Sequence, residues 1–153
     1  MQSKLSWRRL ASPVAMCLSI TILQGCASSP DDIAACGTVS SYLAPDNSAQ
    51  LYRVVVTHLD GVPVISRPNY PLSVGKHEFT VAELINAPEL KVSLAARKVK
   101  VLSVDVSADQ RYHIAAQFNI DRIYIGSNQG YWQPIVWQTE SHECEMKRKP
   151  ELH

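Results

Sequence analysis

No stretch of this chain stays apolar for the roughly 20 residues that a membrane-crossing helix needs. The longest candidate, Leu10 to Leu23, covers 14 residues and is interrupted by Ser12, Pro13, Ser19 and Thr21. Charge of one sign is missing as well. With 15 Lys and Arg against 14 Asp and Glu, the chain offers no electrostatic footprint for nucleic acid. G-x-S-x-G, H-E-x-x-H and a Gly-rich phosphate loop are all absent, so no nucleophile elbow, zinc protease helix or nucleotide cradle is announced. Asp60 and Asp105 fall in or beside turns and strands, where a carboxylate completes a turn or meets water more often than it works as an acid or base. No period of 20–50 residues recurs, which excludes a solenoid or propeller. The expectation is a non-enzymatic protein without a cofactor.

What is present begins at the N-terminus. Lys4, Arg8 and Arg9 stand without an acid among the first ten residues, ahead of the short apolar stretch and the turn-like "ASSPDD". A basic region followed by an apolar run of this length has the form of a cleaved secretory signal. The segment "LQGC", Leu23 to Cys26, resembles the lipobox of bacterial lipoproteins. That resemblance implies removal of residues 1–25, acylation of Cys26 and a membrane partner reached through lipid. Ala27 and Ser28 follow the cysteine with no Asp at the next position, which resembles the class sent to the outer membrane, with the folded part facing the periplasm. Several acyl chains on one residue each contribute about 0.8 kcal/mol per buried methylene, far beyond the marginal hold of a single chain. Cleavage would leave 128 residues, one domain by size, and would take three basic and no acidic residues, giving a formal charge of −2.

Of four cysteines, Cys17 would leave with the signal and Cys26 would carry lipid, so Cys36 and Cys144 remain. Two cysteines in an oxidising compartment favour a disulfide. The alternative makes Cys144 a metal ligand with His142 and one of His58, His77 or His113. Only one close Cys/His pair exists, whereas a structural zinc site normally supplies two.

From Gln50 onward, short apolar alternations are separated by turn signals. "QLYRVVVTHLDGVPVIS" places β-branched and aromatic residues on both sides of Asp60-Gly61, a hairpin signal because the turn needs positive φ. Pro63 sends the returning strand to an edge. In "LSVGKHEFTV", Phe79 and Val81 face the core with His77 near its rim. Residues 82–97 read either as an irregular or strand-like excursion, with Leu90, Val92 and Leu94 alternating, or as a short helix opened by Pro88 with Leu90 and Leu94 stacked at i, i+4. "RKVKVLSVDVSADQRYHIAAQF" reads as a hairpin turning at Ser107 to Gln110, with a bulge near Val101 where the apolar phase changes. "DRIYIGS" and "YWQPIVWQTE" form a last expected pair, in which Trp132 and Trp137 share a phase only if Pro134 introduces a bulge. The sum is all-β: a small antiparallel β-sandwich of about seven strands. Residues 26–49 are expected as a tethered linker, 50–144 as the sandwich and 145–153 as a polar tail.

The succession "LDGVPV" then "LSVGKHEFTV" resembles the PEGA-type envelope module, a small β-sandwich. "ARKVKVLSVDVSADQRYHIAAQF" followed by "WQPIVWQTESHEC" is similar to a group of small, uncharacterised lipoproteins of Gram-negative bacteria. These likenesses imply a fold and a compartment and carry over no catalytic residue. For partner binding, the residues singled out are Tyr124, Tyr131, Trp132 and Trp137, four of 11 aromatics within 14 positions, since aromatics among small polar neighbours suit interface anchors. The functional expectation is an accessory or adaptor that binds another envelope component, through this loop or by strand addition at an unpaired edge. The alternative is a protein that binds a small ligand or inhibits an envelope enzyme.

Overall fold

The computed structural model describes residues 33–147. Cys26, the expected signal segment 1–25 and residues 148–153 of the expected tail lie outside the described residues. The chain is all-β, with the strands β1 (Ile33–Ala34), β2 (Cys36–Ser40), β3 (Leu51–Tyr52), β4 (Val54–Leu59), β5 (Val62–Pro63), β6 (Asn69–Ser73), β7 (Gly75–Glu83), β8 (Lys91–Val92), β9 (Lys100–Val106), β10 (Gln110–Phe118), β11 (Ile125–Gly126), β12 (Trp132–Ser141) and β13 (Met146–Lys147). Thirteen exceeds the seven expected, because six are two-residue bridges that stitch loops together. Seven strands have five residues or more.

Two sheets enclose the core. One runs β12-β10-β2-β6 with β3 also on β10, and the other runs β5-β4-β7-β9. Phe79, Val81, Val104, Val56, Val39, Tyr70, Ile114 and Phe118 meet between them. Alternation does the sorting: in β7, Phe79, Val81 and Glu83 are buried while Lys76 and Glu78 are exposed, as the two-residue period of a strand requires. Tyr70 and Phe79 join the sheets edge to face, with ring centres 5.7 Å apart.

The Asp60-Gly61 hairpin forms as read, with φ of 49° and 78° and Leu59 opposite Val62. Pro63 lies on the edge strand. The second hairpin does not form. β9 pairs with β7, β10 pairs with β12 and β2, and Ser107–Asp109 carry the chain across from one sheet to the other. Alternation told the two strands which face to bury but not which neighbour to take. Gly37 sits beneath this arch, where a Cβ would lie 2.3 Å from the Ser107 carbonyl oxygen.

Other expectations are corrected in the same way. The β7–β9 ladder runs unbroken from Gly75↔Val106 to Val81↔Lys100, so there is no bulge at Val101, whose side chain is exposed. The bulge falls at Trp137, between the pairs Ile114↔Val136 and His113↔Gln138, rather than at Pro134. Only Ile125–Gly126 of "DRIYIGS" is strand, and it joins β8 in parallel instead of β12. Cys36–Ser40, expected in the linker, is a fully buried strand running parallel to β10, which makes one interior pairing of the sandwich parallel. Residues 146–147 pair with β1.

Candidate functional site

The segment from Asn119 to Tyr131 is a closed loop at the end of β10. Its neck is tied by the Asn119 amide donating to the Tyr131 carbonyl at 2.8 Å and by Asn119 Nδ2 donating to the Gly130 carbonyl at 2.7 Å. Asn128 turns its side-chain oxygen onto the Gly130 N–H at 2.8 Å, and Gln129 Nε2 reaches the Ala96 carbonyl at 2.6 Å. The loop thus rests on the 85–97 excursion through both this bond and the β8–β11 bridge.

Inside the loop the aromatics point inward. Tyr131 is 0 % exposed and Trp132 1 %. Tyr131 donates its hydroxyl to Glu83 Oε1 at 2.8 Å. Glu83 also accepts the Ile85 N–H and faces Arg97 at 3.5 Å. Burial first, and the Glu83 carboxylate second, push the Tyr131 phenol far above its ordinary pKa, so it remains a neutral donor. Lys100 Nζ donates to the Gln129 carbonyl at 2.7 Å and the Trp132 carbonyl at 2.6 Å while lying 5.2 Å over the Trp132 ring. Burial lowers its pKa. Tyr124 is buried too, its hydroxyl donating to Asp121 Oδ1 at 2.6 Å. Three of the four aromatics expected at a partner surface are therefore core residues, and the expectation is corrected for them: the two tyrosines are buried where their hydroxyls meet a carboxylate, while the Trp132 ring is buried beside Lys100 with its indole N–H unpaired. Trp137, the bulged residue, is half-buried against His113 with ring centres 6.0 Å apart.

The loop instead displays aliphatic side chains. Ile120, Ile123 and Ile125 are 63 %, 80 % and 66 % exposed; the first two line a cleft of about 200 Å³ with Leu90, Phe118 and Tyr124, with Glu89 and Arg122 on its wall. Four aromatic residues crowd the stretch from Tyr124 to Trp137, and beside them the isoleucines do not stand out. The available signal was "NIDRIYIG" itself, three isoleucines in a stretch whose charged neighbours mark it as loop. The cleft lies beyond Phe118, whereas the disulfide lies by Asp109, which accepts the Cys144 N–H at 3.1 Å and donates its own N–H to the Cys36 carbonyl at 2.9 Å. The nine residues of β10 separate the two, a distance of about 30 Å at strand rise.

Cys36 and Cys144 are bonded, with Cα atoms 5.6 Å apart. That removes Cys144 as a metal ligand, and His142 Nε2 is taken by Arg111 at 2.6 Å. Arg111 also faces Glu140 at 3.3 Å, and Glu140 Oε1 accepts from His113 Nε2 at 2.9 Å. His113 first and Arg111 after it hold the Glu140 carboxyl below its usual range. His77 lies at the rim, 2.8 Å from Asp60. Among the described residues no group of three or more His, Cys, Asp or Glu is gathered as metal ligands would be.

The sheet edges differ in chemistry. β12, β6 and β5 carry Pro134, Pro71 and Pro63, whereas β9, the fourth terminal strand of the two large sheets, carries none. Comparison with protein-family models, curated proteins and solved structures returns no match to this chain.

Proposed function

We propose that this chain is a non-enzymatic lipoprotein of the Gram-negative envelope, held in the outer membrane by lipid on Cys26. Its sandwich faces the periplasm and serves as an accessory or adaptor for another envelope protein. The observation that carries the adaptor reading is the display of Ile120, Ile123 and Ile125 at one end of the body, since clustered exposed aliphatics of this kind mark binding surfaces. The Cys36–Cys144 bond supports an oxidising compartment. Only six residues lie between Cys26 and Ile33, and the seven steps along the chain reach at most about 25 Å. A body tethered at the disulfide end thus carries the isoleucine loop away from the bilayer and towards a partner in the aqueous space.

Replacing Cys26 with Ser abolishes incorporation of labelled palmitate on this reading; palmitate entering the variant rejects Cys26 as the acceptor. Replacing Ile123 with Asp in the lipidated protein leaves thermal unfolding unchanged and removes the partner. The cleft beside the loop favours small-ligand binding as the second reading, and that reading gains if the Ile123→Asp protein keeps every partner of the wild type.

A further inference from the structure

We infer that β9 is a strand-addition site that receives an extended segment of a partner polypeptide, apolar at one end and basic at the other. Every second residue of a terminal strand turns its N–H and C=O away from the sheet, and proteins blunt such edges with proline, charge or short length. Three of the four edges here are so protected: Pro63 lies in β5, which is two residues long, Pro71 takes one amide donor out of the middle of β6, and Pro134 joins the Trp137 bulge in β12. β9 has seven residues, an unbroken register with β7 and no proline. Among the described residues, no backbone hydrogen bond beyond its own ladder joins it to another segment; its first residue is held against the start of β12 by the Lys100 ammonium on the Trp132 carbonyl.

The outward rows of this sheet specify the occupant. Thr80 stands opposite Val101, Glu78 opposite Ser103 and Lys76 opposite Asp105, and the exposed row along β9 is Val99, Val101, Ser103, Asp105. A strand added beside β9 places its own side chains next in these rows. It continues them best with a β-branched residue beside Val101, a small polar one beside Ser103 and a lysine or arginine beside Asp105. That basic residue completes a row in which one carboxylate lies between two cations. A second copy of this chain is a poorer occupant. Two β9 strands paired antiparallel reverse their directions, so the disulfide ends point opposite ways, whereas lipid anchors in one leaflet, given the proposed lipidation of Cys26, need them side by side. This site is independent of the isoleucine loop and stands or falls apart from it.

The test uses the full-length chain purified in detergent and a synthetic seven-residue peptide that alternates valine and threonine and ends in a lysine placed to reach Asp105. Amide hydrogen exchange is followed along the chain. The expected result is protection of alternate β9 amides by the peptide and of none in β6 or β12. Asp105→Lys should weaken the peptide at least fivefold, and a peptide with aspartate in place of lysine should restore binding to that variant. Both Asp105 and Val101 are exposed; Val101→Lys should unfold at the wild-type temperature while peptide protection falls, whereas Asp105→Lys, which sets a second cation opposite Lys76 and so lowers stability slightly, is read through the charge exchange with the aspartate peptide. The inference is overturned if the peptide protects no β9 amide, if the charge exchange has no effect, or if β9 is already protected in a concentration-dependent way without peptide, the sign of a second copy.

Discussion

Trp132 shows at the residue scale how a side chain that looks like an interface anchor becomes a core residue. Its ring is covered by Lys100 and its carbonyl is taken by the same ammonium group, so truncation removes packing that nothing else can fill. Trp132→Ala should cost about 3–5 kcal/mol, read as a loss of denaturant midpoint with unchanged slope; a loss below about 1 kcal/mol would return the ring to the surface. Asp60 is the residue whose ionisation matters most to a turn. Its carboxylate accepts the Glu78 N–H at 2.8 Å and meets His77 at 2.8 Å, and the backbone bond first, then His77, hold its pKa below the usual value. A carboxylate with a depressed folded pKa contributes stability that is present above its unfolded pKa and is lost as pH falls through the folded one. The unfolding temperature should therefore decline below about pH 4, the ordinary Asp range, and Asp60→Asn, which tolerates the positive φ of the turn, should make that decline shallower. An unchanged acid slope in Asp60→Asn would remove Asp60 from the account.

Among the elements, the turns were more legible than their consequences. Asp60-Gly61 specified both its position and its hairpin, because only a tight turn uses two consecutive positive φ values. Ser107–Asp109 also announced a turn, yet Asp109 with φ of 53° serves an arch between sheets, since local alternation cannot distinguish a neighbour in the same sheet from one across the core. The central strand β2 was missed for a related reason. "CGTVS" is buried throughout and so lacks the apolar/polar period that reveals a half-buried strand. The arch depends on Gly37 not through its φ but through space, since a Cβ would meet the Ser107 carbonyl oxygen at 2.3 Å and Val106 Cγ1 at 2.7 Å. Gly37→Ala should cost about 1–3 kcal/mol, the usual range for an overpacked site. Equilibrium unfolding checks this, and a neutral variant would mean that the arch moves freely. Of the candidate site, the segment was legible in its composition, while the choice of which side chains leave the core was not. Tyr124 and Tyr131 are inside because Asp121 and Glu83 accept their hydroxyls, a pairing over 48 residues in the second case that no local pattern displays.

The whole molecule is a short sandwich closed at one end and open at the other. At the closed end, the Cys36–Cys144 bond spans 108 positions, and in the chain-entropy model a loop of that length constrains the unfolded state by about 4–5 kcal/mol. Reduction should lower stability by an amount of that order, measured by denaturant unfolding with and without reductant; a reduced protein of equal stability would assign the body's cohesion to the core alone. At the open end lie the three isoleucines and the cleft, about one strand length from where a tether on Cys26 would attach. The most direct measurement of the adaptor proposal is site-specific photocrosslinking from position 123 in intact cells that make the full-length protein, with exposed position 73 on β6 as the control. The account predicts one discrete crosslinked species from position 123, absent from position 73 and abolished by Ile120→Asp or Ile125→Asp. Crosslinks of equal yield from both positions, or a species that survives both aspartates, would contradict it.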